Sequence, residues 1–223
     1  MDPAAVDSVL RDLIGAKRDA SVRDAVFAVL EVCEAEQPHP DWERIRSLPW
    51  DAEDERVRQW AAVVLPSSNE APQIRGLFFS LCYPSDGAEW ATLDLELTGT
   101  AEYSREDGTL EWLFSQTYFS DASLESPCLD ALYEIARGSH DWRKEPYGLG
   151  NDAEYPIGLA YTVAAARLAL TGGLSARWLD GSLAIGVAAG WKEGDVYVVG
   201  EIQGDGFLPP ASNHPAAPDT ARR

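Results

Sequence analysis

Histidine, cysteine and lysine are scarce in this chain, with three of each among 223 residues, and Met1 is the only methionine. The histidine shortage works against metal and hydrolytic centres, which need imidazoles or carboxylates converging from several elements. His39 lies between two prolines and His214 near the C-terminal end, which leaves His140, beside Asp141, as the one histidine near a candidate cleft. No HExxH, GxSxG or GxxxxGK[ST] pattern occurs. The Gly148-Leu149-Gly150 pattern is too short to cradle a phosphate and is followed by Asp152 and Glu154, so backbone turning is its expected use. No catalytic residue, metal ligand or cofactor is assigned on this basis.

Cys33, Cys82 and Cys128 are odd in number and sit in apolar patterns without CxxC spacing, as buried reduced thiols do. No apolar run reaches the roughly 18 residues needed to span a bilayer. Met1 to Ala5 carries neither the basic nor the apolar region of a secretory signal, so the expectation is a cytoplasmic protein with no membrane partner. Fifteen arginines beside three lysines, with abundant alanine and aspartate, fit a GC-rich bacterial genome.

What the chain has in excess is negative charge, net −19. Residues 76–160 hold sixteen acidic and four basic side chains, so the middle of the chain carries most of that excess. Clustered like charge opposes folding, steers cationic partners and repels nucleic acid and anionic membrane. Eight tryptophans, eight tyrosines and six phenylalanines, within a hydrophobic share of 45%, rule out global disorder and predict an aromatic core.

Periodicity predicts an α+β fold. Val6, Val9, Leu10 and Leu13 form one helical stripe, and Val22, Val26, Val29, Leu30 and Cys33 a second, opened by a Ser21 cap. A short helix follows around residues 42–48, then one over 51–65 whose first-turn acids complement the helix dipole. Residues 66–72 break the helical period. Leu77 to Tyr83 reads as a buried strand, and Ala91, Leu93, Leu95 and Leu97 alternate with Thr92, Asp94, Glu96 and Thr98 as a half-buried one. Leu110 to Phe119 completes a meander. Ser126-Pro127 opens a helix lined by Leu129, Leu132, Tyr133 and Ala136, and an irregular segment runs over 139–154. A helix over 155–171 with Arg167 as its one charge is expected to be buried nearly all round, and residues 183–189 and 196–202 form a C-terminal β-hairpin. The expected architecture is a single α+β domain over 1–207. Its parts are an N-terminal helical layer (1–65) and a five-stranded, mainly antiparallel sheet with helices (76–207), and a flexible tail occupies 208–223.

The acids and aromatics of the middle third point to binding rather than catalysis. Asp94 and Glu96 have the spacing of a carboxylate pair on one strand face, but their alternation with leucines turns both outward, where the burial that tunes an acid/base pair is missing. With Glu89, Glu102 and Glu111 on neighbouring strand ends they are expected to form a negative surface. Trp142, Tyr147, Asp152 and Glu154 on the long segment extend it, as aromatic anchors within a polar rim do at interfaces. The expected partner is a basic protein, not nucleic acid. Carboxylates placed where phosphates would go fit an immunity protein that blocks a nucleic-acid-targeting bacterial toxin by occlusion. The alternative is a small-ligand protein or enzyme using a cleft at 139–154, with His140, Asp141, Asp152 and Glu154 as its polar groups. The stretch Asn151 to Tyr161 (NDAEYPIGLAY), followed by Gly190 to Tyr197 (GWKEGDVY), resembles the C-terminal part of α+β immunity-type proteins of bacterial polymorphic-toxin systems. The resemblance covers about a third of the chain, and it transfers no functional residue.

Overall fold

A computed structural model describes residues 2–16, 20–65, 73–83, 93–105, 110–138, 148–171, 184–203 and 206–210. The helical stripes fold as the periodicity requires. Helix α1 (Pro3–Gly15) buries Val6, Leu10 and Ile14, with Val9 and Leu13 of the expected stripe only partly buried, and α2 (Val22–Glu36) buries Val22, Val26, Val29, Leu30 and Cys33 behind a Ser21 cap that accepts from the Asp24 N–H. Next come α3 (Asp41–Arg46), a 3-10 turn over Trp50–Ala52 and α4 (Glu53–Val64). After the first strands, α5 (Pro127–Arg137) starts on a Ser126 cap that accepts from the Leu129 N–H.

The strands are β1 (Gly76–Cys82), β2 (Asp94–Thr100), β3 (Gln116–Phe119), β4 (Leu124–Glu125), β5 (Ile185–Trp191), β6 (Val196–Gln203) and β7 (Gly206–Leu208). They form one seven-stranded sheet in the order β3-β2-β1-β5-β6-β7, with β4 pairing on β2 beside β3. The expected count of five omits the two short strands β4 and β7, and the expected tail boundary at residue 208 falls on the last residue of β7. All pairings are antiparallel except β1 with β5, whose carboxyl ends therefore lie side by side. The third expected strand is shorter than its apolar run. Residues Glu111–Phe114 form a 3-10 turn, and only Gln116–Phe119 pairs with β2.

Helix α6 (Asn151–Thr171) packs against α1, α2, α4 and α5 on one side and against β1, β5 and β6 on the other, which is why it is apolar all round. It begins one turn before the expected start at residue 155, and Pro156 lies inside it. Arg167, its one buried cation, donates to the carbonyls of Ile14 and Ala16 and so closes the C-terminal end of α1. The helices cover the sheet face that carries Leu77, Phe79 and Leu81 of β1 and Leu95 and Leu97 of β2. The opposite face is covered in part by Tyr103, Leu110, Trp112 and Leu113, which pack on Phe78 and Ala188. Among the described residues no helix is long and apolar enough to cross a membrane.

Candidate functional site

Alternation along β2 sends Leu93, Leu95 and Leu97 into the core and leaves Asp94 and Glu96 partly exposed on the opposite face. The two carboxylates then differ. Glu96 is ion-paired at 2.9 Å with Lys192, a lysine brought in from the C-terminal third, so its charge is locally balanced. Asp94 accepts from the Ser123 hydroxyl at 3.2 Å and stands directly opposite Glu125 across the β2–β4 pairing. Like charges in that relation oppose each other by a few tenths to about 1 kcal/mol. The first two turns of α5 bring Asp130 and Glu134 to the same edge of the sheet. Asp130 holds its proton more tightly than an ordinary aspartate because of partial burial first, then the fields of Asp94, Glu125, Glu134 and Glu53. Among the described residues no basic side chain forms an ion pair with Glu125, Asp130 or Glu134.

The remaining expected acids lie elsewhere. Glu102 and Glu111 are exposed in the segment that crosses the far face beyond the other end of β2. One strand of seven residues, about 20 Å, separates them from Asp94. Asp152 and Glu154 share the first turn of α6 but diverge, as positions two apart on a helix do. Asp152 acts on α2, where its field adds to burial and Glu36 in pushing the Cys33 thiol up to about 12. Glu154, buried at 6% exposure, turns toward the carboxyl ends of β1 and β5. Glu89, Trp142 and Tyr147, with His140 and Asp141 of the alternative cleft, lie outside the described residues. Gly150, at φ 56, turns the chain into α6 and donates its N–H to Ala136 at the end of α5, a backbone role as its sequence context predicts.

At that end of the sheet four aromatic rings meet. Trp191 stacks on Tyr155 at 5.5 Å and donates its indole N–H to the Tyr155 carbonyl. Tyr83, the residue after β1, contacts both Trp191 (5.7 Å) and Tyr133 (6.1 Å) and donates its hydroxyl to Glu154 Oε1. Burial raises the proton affinity of Glu154, and the Tyr83 hydroxyl partly offsets that. Tyr83 is 48% exposed. It continues from Cys82, whose strand partner is Asp94, so the rings and the acidic edge adjoin. Sequence patterns alone do not single out Glu125, Asp130, Glu134, Tyr83, Tyr133, Tyr155 or Trp191 as site residues. The i,i+4 spacing of Asp130 and Glu134 beside Tyr133 is the one local signal available for any of them.

Cys33, Cys82 and Cys128 are all buried, and burial pushes each thiol up to about 12, so none is a nucleophile at neutral pH. Among the described residues no three His, Cys, Asp or Glu side chains come together as a metal site.

The raised proton affinity of Asp130 has a testable sign. Between its ordinary value of 3.8 and the raised one the folded chain binds a proton that the unfolded chain has lost. Asp130 therefore stabilises the fold below that window and loses its contribution as pH rises through it. Asp130→Asn is expected to flatten that segment of the urea midpoint against pH, and an unchanged profile would show that neither burial nor the neighbouring carboxylates shift it. Comparison with family models, curated proteins and solved structures found no match to this chain.

Proposed function

We propose that this chain is an acidic binding protein that takes a basic protein partner on the edge formed by Asp94, Glu125, Asp130 and Glu134, with Tyr83 and Tyr133 as the adjoining aromatic contact. The placement of Glu125 opposite Asp94, with Asp130 against both, carries the reading. Like charges so arranged work against the fold, each contact by roughly 0.2–1 kcal/mol, and a cationic surface would relieve them on binding. Such an edge accelerates encounter with a basic partner, and neighbouring aromatics lengthen the life of the complex. In its specific form the partner is a nucleic-acid-targeting toxin domain, whose lysines and arginines for phosphate contact are occluded.

The test uses the purified product of the adjacent gene, with association measured across a salt series. Glu125→Lys combined with Glu134→Lys is expected to slow association roughly 10- to 100-fold at low salt. The Glu125→Lys change alone converts a like-charge pair into an opposite one and is expected to stabilise the fold by about 0.5 kcal/mol. Stability and association thus move in opposite directions, which excludes unfolding as the cause of weaker binding. Association that ignores both salt and these substitutions would end the proposal, and an adjacent product harmless to cells would remove its toxin form.

A further inference from the structure

From the packing around Glu154 we infer that Tyr83, Tyr133, Trp191 and Glu154 form a subsite for one arginine side chain of the partner. The inference rests on the binding reading above and specifies the chemistry of its contact.

Glu154 is the starting point. Its side chain is more than nine-tenths buried, yet among the described residues it accepts one hydrogen bond, from Tyr83 to Oε1, and has no ion-pair partner. An ionised carboxylate has about four acceptor positions, and a buried one left without a cation is costly. The other oxygen, Oε2, accepts no hydrogen bond from a described residue and is not an enclosed atom, so it is reachable from solvent at the carboxyl ends of the two parallel strands, beside the rings. Burial is the largest influence on its protonation, and among the described residues no cation contributes.

The rings supply the second half of the site. Tyr83 is the exposed member, in contact with Trp191 on one side and Tyr133 on the other. Aromatic faces attract cations, and a guanidinium, being planar, stacks on a ring while its fork of N–H groups reaches a carboxylate. The protein already makes one such contact here, with the Arg137 guanidinium carbon 6.0 Å from the Tyr133 ring centre. An incoming arginine displaces the Tyr83 hydroxyl from Glu154, donates to the carboxylate in its place and lies against the ring. An ammonium would meet the charge but not the flat geometry, so arginine is the assigned ligand.

The experiment titrates the full chain with acetyl-Gly-Arg-Gly-amide and with its lysine and citrulline counterparts, read by calorimetry and tryptophan emission. The arginine peptide is expected to bind best and the citrulline peptide, which keeps the shape and loses the charge, not to bind. Glu154→Gln is expected to weaken the arginine peptide by roughly tenfold, the loss of one charge-assisted contact. Tyr83→Ala removes the ring and weakens binding, whereas Tyr83→Phe keeps the ring, removes the competing hydroxyl and is expected to tighten binding by about threefold or more. Equal binding of arginine and citrulline peptides overturns the subsite, as does a Tyr83→Phe variant as weak as Tyr83→Ala, which would make the hydroxyl a structural tether. Should Tyr83→Ala fail to fold, Glu154→Gln and the citrulline peptide decide. Peptide binding lost in Glu125→Lys/Glu134→Lys but intact in Glu154→Gln overturns the subsite and leaves the acidic-edge reading standing. The reverse pattern, with partner association indifferent to charge reversal, leaves the subsite and removes that reading.

Discussion

Replacing Glu53 with alanine is expected to lower folding stability by about 3–5 kcal/mol, because two buried hydroxyls lose their shared acceptor and a void is left in its place. Glu53 is 1% exposed at the start of α4. Its Oε2 accepts from the Ser126 hydroxyl (2.8 Å) and from the Tyr161 hydroxyl (2.7 Å), and Oε1 lies 3.4 Å from Arg56. One carboxyl therefore joins α4, the cap of α5 and the middle of α6. Truncation leaves two buried hydroxyls without their carboxylate acceptor, at about 1–3 kcal/mol for each orphaned group, and leaves a void beside Trp50 and Tyr161, whose rings are 6.4 Å apart. The Ser126 hydroxyl also accepts from the Leu129 N–H, so loss of its carboxyl partner loosens the start of α5 and with it the acidic edge.

Urea unfolding checks the magnitude, and a melting temperature lower by roughly 6–20 °C is the thermal counterpart for a chain of this size. A mutant cycle separates the hydrogen bonds from the void. Tyr161→Phe should cost about 1–2 kcal/mol in the natural chain, where it deprives the carboxyl of a donor. With Glu53 already replaced by alanine it should cost almost nothing, because the hydroxyl it removes is already orphaned. Equal costs in both backgrounds would mean that Tyr161 and Glu53 do not act together. A Glu53→Ala loss below about 1 kcal/mol, within the range of surface substitutions and their close kin, would mean that water reaches the carboxyl.

Glu53 also shows where sequence reasoning stops. Its place among the first-turn acids of α4 fits a solvated residue that complements the helix dipole, and nothing local distinguishes it from Asp54 or Glu55. Only the arrival of Tyr161, 108 residues later, makes it a core residue. The same holds at the candidate site. The alternation of Asp94 and Glu96 with leucines is a local signal and is legible, as are the caps at Ser21 and Ser126. The like-charge contact is not local, because Asp94 meets Glu125 only through the two-residue strand β4, too short for any period to announce. The parallel pairing of β1 with β5 joins segments about a hundred residues apart, and the aromatic cluster at their carboxyl ends exists only once that pairing is made. Pro156 conceals the start of α6, since proline reads as a first-turn residue and here lies more than one turn inside.

Gly76→Val is the second substitution with a large expected effect, a loss of about 3 kcal/mol at the upper end of overpacking costs. A Cβ at residue 76 would stand 2.3 Å from Trp112 Cζ3 and 2.5 Å from Thr100 Oγ1. The loss cannot come from backbone preference, because valine favours a strand and glycine weakens one. It comes from the far face of the sheet. Trp112 rests there on the bare backbone of β1, while Tyr103, in edge contact with Trp112 at 5.3 Å, rests on Gly186 of β5. This also explains why the run from Leu110 to Phe119 is only half a strand. Its 3-10 turn is what lays Trp112 flat over Gly76, an arrangement that a continuous strand would not permit. The segment is tied at its other end by Arg105 and Tyr103, both bonded to Glu201, whose proton affinity is lowered chiefly by Arg105. In the valine variant the tie should hold while the tryptophan is displaced. Trp112→Ala is therefore expected to cost about 3 kcal/mol in the natural chain, in the range for a buried aromatic, but much less when combined with Gly76→Val, where the ring has already lost its seat. Additive losses in the double variant would place Trp112 away from Gly76 and leave the far face open to a partner.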